Sequence, residues 1–521
     1  PAEASFARIE PGQFAGGTIS LPGSKSLTNR ALLISSMIPG ESILRNALDC
    51  DDSRHLSRAL KRLGVSISSE AGGPRCGSQD ALTFTVRGGI LGYSNKKAGF
   101  LLGNAGTATR FLTAALAASG GEYVVDGDER MRERPINQLV EALRDLGAEI
   151  RCPTGCPPVE IGPRGLQGGR VNMAGNTSSQ FISAVLMAAP LASENIEVRL
   201  VGEILSAPYL DLTLRTMQDF GVRVDIHDDE SDGQLVYHID ARKEYKERDY
   251  FVEGDASTAS YFFAAAALTG TTVRVEGVGK VSRQGDLRFA DVLAEMGCHV
   301  KKDVDSITVS GPEEMLGGVV NNCADMPDIV PTLAVVGAFS RGRTRLHGVP
   351  HLRYKESDRI ASVASELRKL GVDVKELDDG LEINGPAEVF EERTDLVFGC
   401  REGQIAHVEF HLCLGICSDP FNVIPAGRLS VGPEPSGKRA SIQDQPTRTV
   451  CVQLIANRGK GQRNRKQSAR FPGFQIIPHA CQNGLGALFP DPRYFAHTIG
   501  GLGENFQNID AKMFHHPFSD L

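Results

Sequence analysis

"LKRLGVSI", residues 60–67, reads as a helix that stops and a strand that starts. Leu60 and Leu63 belong to one apolar stripe, Gly64 breaks it, and Val65 and Ile67 then alternate with Ser66 as in a half-buried strand. Glycine suits the left-handed position that closes a helix, because it carries no Cβ penalty there. The same octet recurs as "LRDLGAEI" ending at Ile150, "MQDFGVRV" at Val224, "LAEMGCHV" at Val300 and "LRKLGVDV" at Val374. Gly64, Gly147, Gly221, Gly297 and Gly371 are separated by 83, 74, 76 and 74 residues, and that spacing defines an internal repeat.

A second set of helices falls between these, at about 27–37, 107–118, 180–192, 257–268 and 328–339. "FISAVLMAAPLA" and "ASYFFAAAALTG" are apolar on every side, the mark of helices buried between other elements. Each repeat thus holds one buried helix, one amphipathic helix and several short strands, a βαβαββ-like unit of an α/β fold.

Composition limits what such a chain does. At 521 residues it exceeds one hydrophobic core, so two or three domains are expected. The net charge of -8 argues against bulk affinity for nucleic acid or an anionic membrane, so any anion site must be local. Eleven cysteines without a disulfide framework fit reduced thiols, and the start "PAEASFARIEPGQ" has neither the basic nor the apolar region of a signal peptide. The cytoplasm is the expected compartment.

Every buried helix opens with small and polar residues: "GSKSLTNR", "GNAGTATR", "GNTSSQ", "EGDASTAS" and "NCADMPD". Helix N-termini bind anions, and if the units pack around common axes these ends converge on one cleft. Plainer readings stand beside this one. Ser24 or Ser26 would cap a helix with Lys25 solvated, Thr107 would cap another, and "GDERMRERPI" would be a solvated turn before a helix at 136–146. Arg110, one turn inside an apolar helix, needs a partner. Lys355 and Arg359, four residues apart in "HLRYKESDRI", face the same way, with Glu356 and Asp358 available to neutralise them.

Taken in order, "LPGSKSLTNRALL", "GNAGTATRFL", "RMRERPI", "SSQFISAVLMAAP", "EGDASTASYF", "QGDLRFADVL" and "LRYKESDRI" resemble the 3-phosphoshikimate 1-carboxyvinyltransferase family, over about residues 5–390. The resemblance implies a two-domain enolpyruvyl transferase fold, each domain built from three βαβαββ repeats. It puts repeats one to three in residues 16–231, and repeats four and five in residues 1–15 with 232–390. It also implies transfer of the enolpyruvyl group of phosphoenolpyruvate to the 5-hydroxyl of shikimate 3-phosphate, with release of phosphate. Lys25, Ser26, Arg30, Ser178, Ser179, Gln180, Ser206, Tyr209, Asp328 and Lys355 resemble the shikimate 3-phosphate ligands. Lys25, Asn104, Gly106, Arg130, Gln180 and Arg359 resemble those of phosphoenolpyruvate. Asp328 resembles the proton acceptor, and Lys25, Lys355 and Glu356 complete the implied catalytic set. No metal or cofactor is expected, because lysines and arginines can stabilise the charge directly. The expected partners are the two small molecules, with no nucleic acid and no membrane, bound by a monomer. His351 stands where relatives often present another polar group. The enzyme acting on UDP-N-acetylglucosamine shares this chemistry, but "GSKS", "SSQF" and "KESDR" favour shikimate 3-phosphate.

Near residue 390 the texture changes. Residues 391–521 hold five of the eleven cysteines and six of the twelve histidines in aperiodic, turn-rich sequence. The family's Asp-His-Arg motif, its Lys-Thr/Ser-Phe/Tyr-Pro motif and a sixth "L-G-V" helix are missing; Gln404 stands where an arginine belongs, and "SARFPGF" keeps only Phe471, Pro472 and Gly473. Such a break reads as a frame-shifted or unrelated tail, disordered in part. The alternative function is then a shikimate 3-phosphate-binding protein impaired in catalysis, because phosphoenolpyruvate ligands are missing. His407, His411, Cys413 and Cys417 match no zinc spacing well, and the six cations of "RGKGQRNRKQSAR" read as a solvated segment.

Lys25→Ala is expected to abolish turnover while leaving the fold intact, checked by phosphate release alongside circular dichroism. A near-normal rate would refute the role of Lys25.

Overall fold

The computed structural model describes residues 14–72, 81–89, 93–176, 178–241, 243–385, 396–402 and 450–456. The expectations for His407, His411, Cys413, Cys417, Gln404 and residues 458–474 lie outside them.

The repeat is realised as five sheets of four strands, each with two helices. The chain begins with β1 (Gly17–Ser20), α1 (Lys25–Ser36), β2 (Glu41–Leu48), α2 (Asp51–Arg62), β3 (Ser66–Ala71) and β4 (Ala81–Arg87). The second unit is β5 (Lys97–Leu101), α3 (Gly106–Ser119), β6 (Glu122–Asp126), α4 (Asn137–Asp145), β7 (Ile150–Arg151) and β8 (Val159–Ile161). The third is β9 (Gly169–Ala174), α5 (Ser179–Ala188), β10 (Ile196–Val201), α6 (Ala207–Asp219), β11 (Asp225–Asp228) and β12 (Leu235–Ile239). After β13 (Asp249–Phe251) come α7 (Ala256–Thr269), β14 (Thr272–Glu276), α8 (Arg288–Glu295), β15 (His299–Lys302) and β16 (Ser306–Ser310). The fifth unit is β17 (Val320–Asn322), α9 (Val330–Ala338), β18 (Gly342–His347), α10 (Arg359–Lys369), β19 (Asp373–Leu377) and β20 (Gly380–Gly385). Beyond it, β21 (Leu396–Glu402) pairs antiparallel with β22 (Val450–Ala456). Among the described residues no sixth four-stranded sheet forms.

In the second unit β5 runs parallel to β6, as a crossover helix requires, and β7 and β8 close the sheet antiparallel. The first and fourth units each borrow their first strand. β13 pairs parallel with β2, Asp249 opposite Ile43, while β1 pairs parallel with β14, Gly17 opposite Val273. One hydrophobic cluster accordingly runs from Leu27 to Val252, and the other takes Leu21 and then Ala256 to Ile383. The chain crosses between these clusters near residues 22–25 and 252–255, beside the boundaries expected at 15/16 and 231/232. The sequence spacing does not show the crossings, because strands of four and three residues, paired with partners more than 200 positions away, leave no periodic signal.

At the crossing the two passes of chain touch. Gly23 and Gly254 form an isolated bridge, and the Ser24 amide donates to the Glu253 carbonyl at 2.8 Å. A Cβ at Gly23 would collide with the Asn46 carbonyl and the Val252 side chain.

α3 is buried at every position from Gly106 to Ala118, and α5, α7 and α9 are nearly so. Pro190 turns the end of the expected helix at 180–192 into a 3-10 turn, Ala189–Leu191, and Pro327 does the same at the start of the fifth buried helix. Among the described residues no helix is long and apolar enough to cross a membrane.

The five repeat glycines all adopt left-handed backbone, with φ of 94, 97, 90, 117 and 84° in chain order. At Gly297 a Cβ meets only Pro312 Cγ at 3.9 Å, whereas at Gly147 it meets Gln167 Cγ at 2.6 Å. Gly297→Ala should cost about 1–2 kcal/mol of backbone strain, and Gly147→Ala more, read from urea unfolding midpoints. Equal stabilities for both variants and the parent would contradict this.

Candidate active site

The polar helix starts do meet, and α1 shows how. Ser24 precedes the helix without capping it through its side chain. Instead the Lys25 amide donates to Asp255 Oδ2 at 2.9 Å, and Asp255 also caps α7 by accepting from the Thr258 amide. One carboxylate thus serves two helix N-termini, one from each hydrophobic cluster. Burial works against the Lys25 ammonium, but Asp52, Glu356 and Asp328 outweigh it and hold its pKa above the ordinary lysine value.

Arg30, five residues on, is 2% exposed. Its Nε donates to Thr213 Oγ1 at 2.8 Å, Nη1 to the Ser26 carbonyl at 2.9 Å, and Nη2 to the Tyr209 carbonyl at 3.0 Å. It stacks over Phe111 and binds α1 to α6. Ser206, just before α6, is a non-glycine residue in left-handed conformation, with φ 59°. Its amide donates to the Ala324 carbonyl at 3.1 Å, joining the two clusters again. Ser178 caps α5 through the Gln180 amide at 3.3 Å, and Gln180 Nε2 reaches Thr107 Oγ1 at 3.1 Å.

The centre is a knot of opposite charges. Arg359, the first residue of α10, donates from Nη1 to Asp328 Oδ1 at 2.8 Å and from Nη2 to Glu356 Oε2 at 2.6 Å. Lys355 Nζ lies 4.0 Å from the same Asp328 oxygen, and the Tyr209 hydroxyl donates to Asp328 Oδ2 at 2.8 Å. Burial alone would raise both carboxyls; for Asp328 the cations Lys355, Arg359 and Lys25 overcome it, and for Glu356 Arg359 and Arg134 do, leaving both ionised. Lys355 is pushed the other way: burial lowers its pKa, and although Asp328 opposes this, the nearby Arg359 adds to it. The expectation that Lys355 and Arg359 face one way holds, and acids within reach neutralise them.

On the opposite wall, Arg130 grips the loop that carries these groups. Its Nε donates to the Glu356 carbonyl at 3.2 Å, and Nη2 to those of Lys355 and Arg353 at 3.1 and 3.3 Å. Asn104 Nδ2 reaches the same Glu356 carbonyl at 3.5 Å. Gly106 opens α3, where a Cβ would strike the Arg134 guanidinium. Arg110 finds neutral partners, the Gly106 and Pro135 carbonyls at 3.2 and 3.1 Å and the face of Phe181. Without a carboxylate on it, burial first and Arg134 second bring its pKa down to about 9.

Two residues at the site escaped the sequence reading. Arg134 is 3% exposed, donates from Nη1 to Asn104 Oδ1 at 2.8 Å, and lies 3.5 Å from Glu356 Oε1. Its neighbour Arg132 is the solvated residue of that stretch, paired with Asp126. Asp286, from "QGDLRF", accepts from Ser257 and lies 3.5 Å from the Tyr209 hydroxyl, while its Oδ1 is buried with no partner. An acid among glycine and apolar neighbours was the available signal. Both ring nitrogens of His351 are also buried without partners, and burial with Lys355 nearby lowers its pKa to about 4, so the imidazole is neutral.

Burial and the Asp328 charge raise the Asp286 pKa to about 7. The folded chain therefore keeps a proton that the unfolded chain releases near pH 4, so this carboxyl costs stability progressively as pH rises from about 4 to about 7. Asp286→Asn, neutral throughout, should gain stability over the parent from about pH 5 to about pH 8, measured as urea midpoints. A difference that is flat or shrinks with pH would contradict the assignment.

The profile of the EPSP synthase family, 3-phosphoshikimate 1-carboxyvinyltransferase, matches residues 9–394. The match stops close to where the sequence texture changes. The 3-phosphoshikimate 1-carboxyvinyltransferase of Tolumonas auensis is 45% identical over 385 residues, 73% of this chain and 87% of that protein. The chloroplastic protein of the same name from Arabidopsis thaliana is 42% identical over 404 residues, 74% of this chain and 75% of the other. The structure of EPSP synthase from Acinetobacter baumannii superposes with a TM-score of 0.58 at 27% identity, over 73% of this chain and 84% of that one. The enolpyruvyl transferase NikO from Streptomyces tendae shares the fold, with a TM-score of 0.55 at 17% identity over 73% and 84% of the two chains. With a two-lobed architecture of repeated α/β units and helix starts gathered around one buried charge cluster, the chain belongs to the EPSP synthase family.

Proposed function

We propose that this chain transfers the enolpyruvyl group of phosphoenolpyruvate to the 5-hydroxyl of shikimate 3-phosphate and releases phosphate, the reaction of the shikimate route to chorismate and aromatic amino acids. The observation that carries the reading is the knot of Asp328, Lys355, Glu356 and Arg359, met by Tyr209 from the other lobe and flanked by Lys25. Two polyanions bound there replace the internal carboxylates as partners of the cations.

Lys25, Ser26, Arg30, Ser178, Ser179, Gln180, Ser206 and Tyr209 take shikimate 3-phosphate, joined by Asp328 and Lys355. Lys25, Asn104, Gly106, Arg130, Gln180 and Arg359 take phosphoenolpyruvate. Asp328, held ionised, accepts the 5-hydroxyl proton as that oxygen attacks C2 of phosphoenolpyruvate. Lys355, whose lowered pKa makes it the better acid, protonates the C3 methylene and completes the tetrahedral intermediate. Ionised Glu356 then takes a proton back from the C3 methyl as phosphate leaves, restoring the enol ether. Each such acid–base group contributes about 10²–10⁴-fold. Lysines and arginines stabilise the departing phosphate. The protein acts as a cytoplasmic monomer on these two small molecules, without nucleic acid or membrane; its net charge of -8 supports that choice of partner.

The test is phosphate release by the purified full chain with both substrates, beside calorimetric titration of shikimate 3-phosphate. Release that requires both substrates is expected. Saturable binding of shikimate 3-phosphate with no release would overturn the proposal in favour of a binding protein.

A further inference from the structure

Behind the segment that carries Asp286 lies a cavity of about 280 Å³ with walls from both lobes. Pro208 and Asp211 of α6 form one side, and the stretch from Gly279 to Asp291 forms the other. The two sides touch, because a Cβ on Gly285 would sit 2.8 Å from Pro208 Cγ. Leu287 and Ile307 supply an apolar floor.

The lining charges do not balance. Lys280, Arg283, Arg288 and Lys302 face Asp211 and Asp291, four cations against two acids. Lys302 pairs with Asp291 at 2.7 Å, and Arg288 pairs with Asp325 beside the cavity. Lys280 and Arg283 are exposed, and among the described residues neither side chain has an ionic or hydrogen-bonding partner. No residue of the proposed catalytic or substrate-binding set lines this space; only the chain neighbours of Tyr209 and Asp286, namely Pro208, Gly285 and Leu287, do, so the cations stand apart from the transfer reaction.

We propose that this cavity is a second anion site, which takes a small dianion, a dicarboxylate or a phosphoryl compound, on Lys280 and Arg283. Two charge-assisted contacts to the exposed Lys280 and Arg283 outweigh the single acid Asp211 on the facing wall, and the apolar floor accepts a short carbon chain. α6 contributes Pro208 and the acidic Asp211 to the wall, whereas both ligand cations come from the 279–291 stretch. The same two elements carry Tyr209 and Asp286, whose side chains face the charge knot.

The experiment is calorimetric titration of the full-length protein with malonate and, separately, with inorganic phosphate. It uses the parent, the Lys280→Ala/Arg283→Ala double variant, and Arg359→Ala, which removes an anion ligand of the catalytic cleft. Circular dichroism verifies that each variant is folded. Binding that persists in Arg359→Ala and weakens about tenfold or more in the double variant is expected, because both charge-assisted contacts are lost. Malonate alone would assign a dicarboxylate, phosphate alone a phosphoryl ligand, and either supports the site. Anion binding unchanged in the double variant, binding lost only in Arg359→Ala, or no saturable binding in the parent would overturn it. None of these readouts depends on turnover, so the outcome is separate from that of the proposed reaction.

Discussion

Asp255 holds the two lobes to a common centre. Its carboxylate accepts the Lys25 amide at the start of α1 and the Thr258 amide at the start of α7, so two buried helices from different cores begin within one hydrogen-bonded group. That junction exists because the chain passes between the lobes twice, through Gly23 and Gly254, where the backbones lie too close for a side chain on Gly23. Strand exchange on either side, β1 into the fourth unit and β13 into the first, anchors both passes. The Lys25 backbone is thereby pinned to the Asp255 carboxylate. Moving that junction would move the starts of α1 and α7 together.

Around this fixed point the site stores charge in self-neutralised form. Asp328 and Glu356 are buried with Arg359, and Arg134 approaches Glu356 from the other lobe. Burying any one of these ions alone would be costly, and removing one partner leaves an uncompensated charge. A polyanionic substrate fits such a site by exchanging one set of anionic partners for another, so the cations need not be desolvated afresh on binding. The loop that carries Lys355 and Glu356 is held by its carbonyls, through Arg130, which leaves its side chains directed at the centre.

Much of the fold was legible in the octets around Gly64, Gly147, Gly221, Gly297 and Gly371, because a helix stop is a local event decided by the residues that make it. The buried helices were legible for the same reason, except that 3-10 turns at Pro190 and Pro327 replace the ends of two of them. The meeting of polar starts of buried helices was legible at Lys25, whose amide reaches Asp255, and at Thr107, which Gln180 reaches. The site was not legible at Arg134, which shares a charged stretch with the solvated Arg132 and differs from it only in which way the turn points. Arg110 shows the limit from the other side: the need for a partner could be read, but not that carbonyls and an aromatic face would meet it without a carboxylate.

By itself, the sequence determined the repeat, the helix ends and the chemical character of the helix starts, since each depends on side chains within a few positions of one another. Tertiary structure alone decided which strand completes which sheet, where one lobe ends, and which partner each buried arginine finds. Those outcomes depend on pairing and burial between residues up to about 250 positions apart, and a linear pattern carries no record of them.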